Sequence, residues 1–163
     1  MNVELHEVWS KLEVWPEYLL GSRPMRVDLL IKKDRDMVIR KNIGRIFRTY
    51  NFLEYKAPDD YISVDDFYKV YAYACKYIAD TGATGEIAPA EVTITFICNH
   101  YPARMLQSVA KDREIYAVKR EEGIYDLVGD PFPMQLIFTH ELTKEKNYWL
   151  QSLRSNITDP EEI

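Results

Sequence analysis

The segment 51–60, Asn-Phe-Leu-Glu-Tyr-Lys-Ala-Pro-Asp-Asp, constrains the fold more than any other part of the chain. Phe52, Leu53 and Tyr55 favour a strand. Pro58 ends it, because proline cannot donate to a ladder, and Asp59 and Asp60 read as turn residues. Alternate side chains on a strand share a face. Glu54 and Lys56 therefore point the same way, with Tyr55 opposite. A second run, Met25-Arg26-Val27-Asp28-Leu29-Leu30-Ile31, reads as an apolar strand with one carboxylate in its middle. A buried, unpaired Asp is costly, on the order of several kcal/mol, so Asp28 is expected beside a cation. If the two strands are neighbours, Asp28, Glu54 and Lys56 converge. Two carboxylates hold a hard divalent cation such as Mg²⁺, and a lysine beside it orients an attacking water. Those parts suit phosphodiester hydrolysis. The bland alternatives are a loop-capping Asp28 and a same-face Glu54–Lys56 salt pair of little energetic weight.

The order D, then E-x-K on the next strand, resembles the PD-(D/E)xK nuclease superfamily. Three further stretches narrow the resemblance: Asn42-Ile43-Gly44-Arg45-Ile46-Phe47-Arg48-Thr49-Tyr50-Asn51, Glu54-Tyr55-Lys56-Ala57-Pro58 and Asp65-Asp66-Phe67-Tyr68-Lys69-Val70-Tyr71. Together they look like the Rpn-type recombination-promoting nucleases and transposase-like proteins of bacteria, over residues 5–153. The resemblance implies a restriction-endonuclease-like core, DNA as partner, Mg²⁺ or Mn²⁺ as cofactor, and Asp28, Glu54 and Lys56 as the catalytic set, with Asp28 and Glu54 on the metal. It also makes Glu7 the candidate for a third acid on the first helix. A surface residue is the other reading of Glu7, because the stretch from that helix to Asp28 is short for the family. Val27 stands where a Pro-Asp pair would have proline. A catalytically degenerate nuclease fold acting as a binding module is the competing function.

A length of 163 residues suits one domain, 1–157, with a frayed tail at 158–163. The net charge of -5 argues against indiscriminate DNA binding, yet the charge is uneven. Nine basic and four acidic residues lie between Arg26 and Lys56. Arg45, Arg48 and, on the following helix, Lys69 are the candidate phosphate contacts; a solvated loop and an exposed helix face are the alternatives. Cys75 and Cys98 are too few and too separated for a zinc site, and both are expected to be buried thiols. His6, His100 and His140 have no spacing that suggests a metal cage, and His100 reads as structural. No run approaches the ~20 apolar residues of a membrane span. A cytoplasmic protein is expected, and a homo-oligomer is compatible with the reading.

Elsewhere the spacing predicts a helix over 5–12, a strand over 14–20 forming a hairpin with 25–31, and a helical turn within 40–50. The most regular pattern predicts a helix over 63–79, capped by Ser63, with Phe67, Val70, Tyr71, Ala74, Cys75 and Ile78 inward. A strand over 91–98, a helix opened by Pro102, a hairpin around Glu121-Glu122-Gly123, a strand over 134–139 and a closing helix with Trp149, Leu150 and Leu153 inward follow. Strands interleaved with helices imply an α/β fold, a mixed central sheet flanked by helices.

Overall fold

The computed structural model describes residues 23–152 and, before them, Lys11, Glu13, Trp15, Glu17, Leu20 and Gly21. Apart from Lys11, the expected first helix with Glu7 lies outside the described residues, as do Leu153 and the tail. The elements are β1 (Leu29–Lys32), β2 (Tyr50–Tyr55), α1 (Val64–Asp80), β3 (Val92–Cys98), α2 (Ala103–Arg113), β4 (Tyr116–Glu121), β5 (Ile124–Val128), β6 (Met134–Phe138) and α3 (Lys144–Ser152), with short 3-10 turns at Asn42–Gly44, Pro89–Glu91 and Thr139–Glu141.

The fold is α/β. One six-stranded mixed sheet runs in the order β1-β2-β3-β6-β5-β4. β2, β3 and β6 are parallel, and β1, β5 and β4 add antiparallel strands at the two sides. The β2–α1–β3 crossover supplies the helix that a parallel pair needs. β3 is central and buried along its whole length, as its run of β-branched and apolar residues requires.

Alternation along the strands sorts the core into two faces. Phe52, Ile94, Phe96, Met134 and Leu136 meet α1 and α2 through Phe67, Val70, Ala74, Met105 and Val109. Ile97, Ile124 and Ile137 form a smaller cluster on the other face with Leu142, joined by Ile43, Leu53 and Leu150. The buried polar side chains of β2, β3 and β6 are hydrogen-bonded there. The Thr93 hydroxyl donates to Asn51, and Gln135 donates to Thr95 and to the Ile43 carbonyl while accepting from Arg120. Buried polar groups left unpaired would be costly, and these are not.

Four expectations are corrected. The expected hairpin is not seen among the described residues: β1 pairs with β2, and Trp15, Glu17 and Leu20 are in no strand. Asp28 is not a buried mid-strand residue. It is exposed, one residue before β1, and its Oδ2 accepts the Tyr55 N–H at 2.9 Å. A short carboxylate that competes for a backbone donor ends the ladder early. Cys75 is exposed, whereas Cys98 is buried as expected. The inward stripe of α1 runs through Phe67, Val70, Ala74 and the half-buried Tyr77, whose ring packs on Tyr50 and Phe52; Cys75 falls beyond its edge. Trp149 is 61% exposed. The helical phase of α3 is broken at Asn147 (φ -138°, ψ 46°), whose buried side chain exchanges two hydrogen bonds with Asn42.

Candidate functional site

The carboxyl ends of β2, β3 and β6 open on one edge of the sheet, since Tyr55 lies beside Ile97 and Cys98 beside Phe138. In open α/β sheets this is the edge where ligands bind. Glu54 and Lys56 stand there. Extending the β1–β2 register of Leu30↔Phe52 and Leu29↔Leu53 by one step sets Asp28 opposite Glu54. Residues directly opposite on a strand pair share a face. That face is the one covered by α1, since Phe52 and Glu54 are two residues apart.

The loop after β2 returns to start α1, and Ser63 caps it. The Ser63 hydroxyl accepts the Asp66 N–H, and the Asp66 carboxylate accepts both the Ser63 N–H and its hydroxyl at 2.8 Å. This reciprocal arrangement aims the other oxygen of Asp66 at Lys56. The Lys56 ammonium lies 3.0 Å from Asp66 Oδ1 and 3.6 Å from Glu54 Oε1. All three side chains are 12–16% exposed.

Each group titrates as this geometry dictates. Burial pushes the Glu54 carboxyl above its ordinary range, the charges of Asp28 and then Asp66 add to that, and Lys56 opposes it only in part. Burial works against ionised Asp66 too, yet the Ser63 hydrogen bonds and Lys56 outweigh it and hold Asp66 low. Burial disfavours the Lys56 ammonium; the bond to Asp66 and the charges of Asp66, Glu54 and Asp60 overcome that and raise it. Lys56 is therefore a cation at neutral pH, and it cannot be a general base there.

The sheet edge thus brings Asp28, Glu54 and Lys56 together. Asp66, an acid in the first turn of α1, joins them unforeseen. The Ser63-x-x-Asp66 spacing is a capping-box signature, and it is the signal that orients this carboxylate back toward the start of α1. Lys69 lies exposed one turn beyond Asp66, and Arg104 is exposed in the first turn of α2. Arg45 and Arg48 do not join the cluster. They precede β2, whereas Glu54 and Lys56 end it, so the length of the strand, about 20 Å, separates them. Arg48 donates to the carbonyls of Ile46 and Phe47. Arg45 acts on Glu121, whose carboxyl is held low first by Lys146.

The donor set can be tested against a divalent ion. Asp28 and Glu54 offer hard oxygen ligands, and a cation would relieve the repulsion that raises Glu54. Asp66 is committed to Ser63 and Lys56. Among the described residues no group of three or more His, Cys, Asp or Glu could hold a metal. Two carboxylates suit Mg²⁺ nonetheless, because that ion keeps several waters and takes substrate phosphate oxygens. Asp28 and Glu54 would supply such an ion with two protein ligands at most, and Asp28 Oδ2 also accepts the Tyr55 N–H.

Among the described residues no helix is long and apolar enough to cross a membrane. Comparison with known proteins finds no matching protein-family model, no matching curated protein and no matching solved structure.

Proposed function

We propose that the chain is a metal-dependent DNA endonuclease with a restriction-endonuclease-like core, akin to the Rpn-type proteins it resembles. The observation that carries this reading is the meeting of Asp28, Glu54 and Lys56 at the carboxyl edge of the sheet, with Glu54 raised by burial and by Asp28. Asp28 and Glu54 would hold Mg²⁺ or Mn²⁺, which would supply positive charge at the phosphate and lower the pKa of a bound water. Lys56, fixed as an ammonium by Asp66, stabilises the charge that develops on the phosphate as water attacks phosphorus. The P–O bond to the leaving sugar oxygen breaks; the attacking water keeps one hydrogen as the new P–OH and gives up the other to solvent water, which returns a proton to that leaving oxygen. Lys69 and Arg104 flank the edge as further phosphate contacts. A role for Arg45 and Arg48 requires DNA that reaches around to the other end of β2.

One observation favours a second reading. Lys56 is closer to Asp66 than to Glu54, so the cluster is also a closed ion-pair network that stands without any ligand. A binding module with no turnover would look like this. The test uses wild type, Asp28→Asn and Lys56→Ala with supercoiled and linear DNA, in Mg²⁺, in Mn²⁺ and in chelator. Metal-dependent nicking that both variants lose supports the enzyme. Nicking that survives Asp28→Asn assigns the activity elsewhere, and no nicking by folded wild type leaves the binding module.

A further inference from the structure

We infer that Tyr61 is a stacking platform for an unpaired nucleobase, and that the substrate class at this edge is single-stranded nucleic acid. The inference deepens the nuclease reading and rests on it for the position of the scissile phosphate. Tyr61 stacks on His100, with ring centroids 4.3 Å apart and planes 19° from parallel. One face of the phenol is covered by the imidazole, yet the residue is 63% exposed. A single exposed tyrosine means nothing by itself. This one is fixed in orientation and stands beside the charged cluster.

The fixing is local. The Asp60 N–H donates to the Ala57 carbonyl at 2.9 Å, and the Tyr61 N–H donates to the Asp60 carboxylate at 2.8 Å. Ile62 follows, buried in the core, and Ser63 caps α1. The backbone on both sides of Tyr61 is therefore held, and its ring is left outside. Placement beside the cluster follows from two links. The Asp60 N–H closes on Ala57, the residue after Lys56, and the Lys56 backbone N–H donates to the Ile97 carbonyl, three residues before His100. Along the same edge Tyr101, 43% exposed, packs on Phe138 and Tyr125. Two aromatic steps, with the exposed Lys69 and Arg104 on the helices that begin at this edge, make the combination of π-faces and scattered cations that binds a nucleic-acid strand without reading its sequence. A base inside a duplex already has both faces covered, so only an unpaired or extruded base meets Tyr61.

The test is fluorescence anisotropy with a short labelled oligothymidylate and with a blunt duplex of the same length. Wild type, Tyr61→Ala and Tyr61→Phe are compared in chelator and again in Ca²⁺, with circular dichroism to verify the fold. Wild type is expected to prefer the single strand. Tyr61→Ala should weaken single-strand binding by about 5- to 150-fold, the range for one stacked base, and leave duplex binding nearly unchanged. Tyr61→Phe keeps the π-face and should bind like wild type. The inference is overturned if wild type binds no single strand, if it binds both forms equally, or if Tyr61→Ala binds the single strand as wild type does. Loss of nicking activity with this binding pattern intact would sink only the hydrolytic reading. Nicking with no effect of Tyr61→Ala on binding would sink only the platform.

Discussion

Truncating Asp66 to alanine separates the structural work of the cluster from its chemistry. The carboxylate accepts the Ser63 N–H, the Ser63 hydroxyl and the Lys56 ammonium, at 2.8, 2.8 and 3.0 Å. Loss of a helix cap costs about 1 kcal/mol. Loss of a hydrogen bond to a charged partner costs about 1.5–3 kcal/mol. Some of the second cost returns, because Lys56 keeps Glu54 at 3.6 Å. Asp66→Ala should therefore lower unfolding stability by about 2–3 kcal/mol at neutral pH, read from urea melts at unchanged slope. Ser63→Ala removes the cap alone and should cost about 1 kcal/mol. The pH dependence carries a sign. Asp66 titrates below its ordinary 3.8 in the folded protein, so its stabilisation is present above 3.8 and is lost as pH falls through the lower folded value. The gap between wild type and Asp66→Ala should close only in acid. A cost below about 0.5 kcal/mol at neutral pH, or a gap that does not narrow in acid, would refute the ion pair and the cap as described.

Three further outcomes are expected. Asp28→Asn removes the like charge facing Glu54, so the Glu54 carboxyl, followed by NMR titration, should move down toward 4.5; because a raised carboxyl loses stability as pH rises through its folded value, the variant should also lose less there. A thiol reagent should label the exposed Cys75 in the folded protein and reach Cys98 only on unfolding, since Cys98 is buried and its thiol is pushed up to about 12; two fast equivalents would place Cys98 elsewhere. Gly123→Ala should destabilise by more than about 1 kcal/mol, because φ is +77° and a Cβ would lie 2.7 Å from the Leu142 nitrogen and 2.8 Å from the Phe138 oxygen; a neutral thermal melt would contradict the tight β4–β5 turn.

Much of the architecture was legible because period and punctuation agree. Ser63, the acids at 65 and 66 and the spacing of Phe67, Val70 and Ala74 all mark one helix, and α1 follows within a residue. The alternation from Val92 to Cys98 likewise marks β3. The failures are physical too. Asp28 lies between apolar residues, which reads as burial, but β1 is a side strand and Leu29 next to it is 50% exposed. Apolar neighbours on a side strand do not bury what lies between them. Trp149 and Leu150 promised one inward face until Asn147, tied to Asn42, broke the helical phase. Arg45 and Arg48 are near Glu54 in sequence, and a strand converts six residues of sequence into the width of the sheet. That separation was readable from the strand length alone. The Asp66–Lys56 pair was not, because it depends on how the loop 56–63 returns.

What the cluster lacks is enough positive charge. Asp28, Glu54 and Asp66 are three carboxylates, and Lys56 is the ammonium set among them. Asp66 has what it needs from Ser63 and Lys56, so the deficit settles on Glu54, which faces Asp28 and shares its lysine. Only two events can discharge that deficit at this spot: a proton on Glu54 or a cation between Glu54 and Asp28. They compete for the same oxygens, so the repulsion that raises Glu54 is also the energy a divalent ion would recover. Asp28 serves the structure by accepting the Tyr55 N–H, a bond that Asp28→Asn can keep, whereas its charge opposite Glu54 only raises that neighbour. Asp28 is thus the residue on which the two functional readings divide. In the binding module its replacement by Asn relieves repulsion and costs no activity; in the enzyme the same relief removes a metal ligand and the hydrolysis with it.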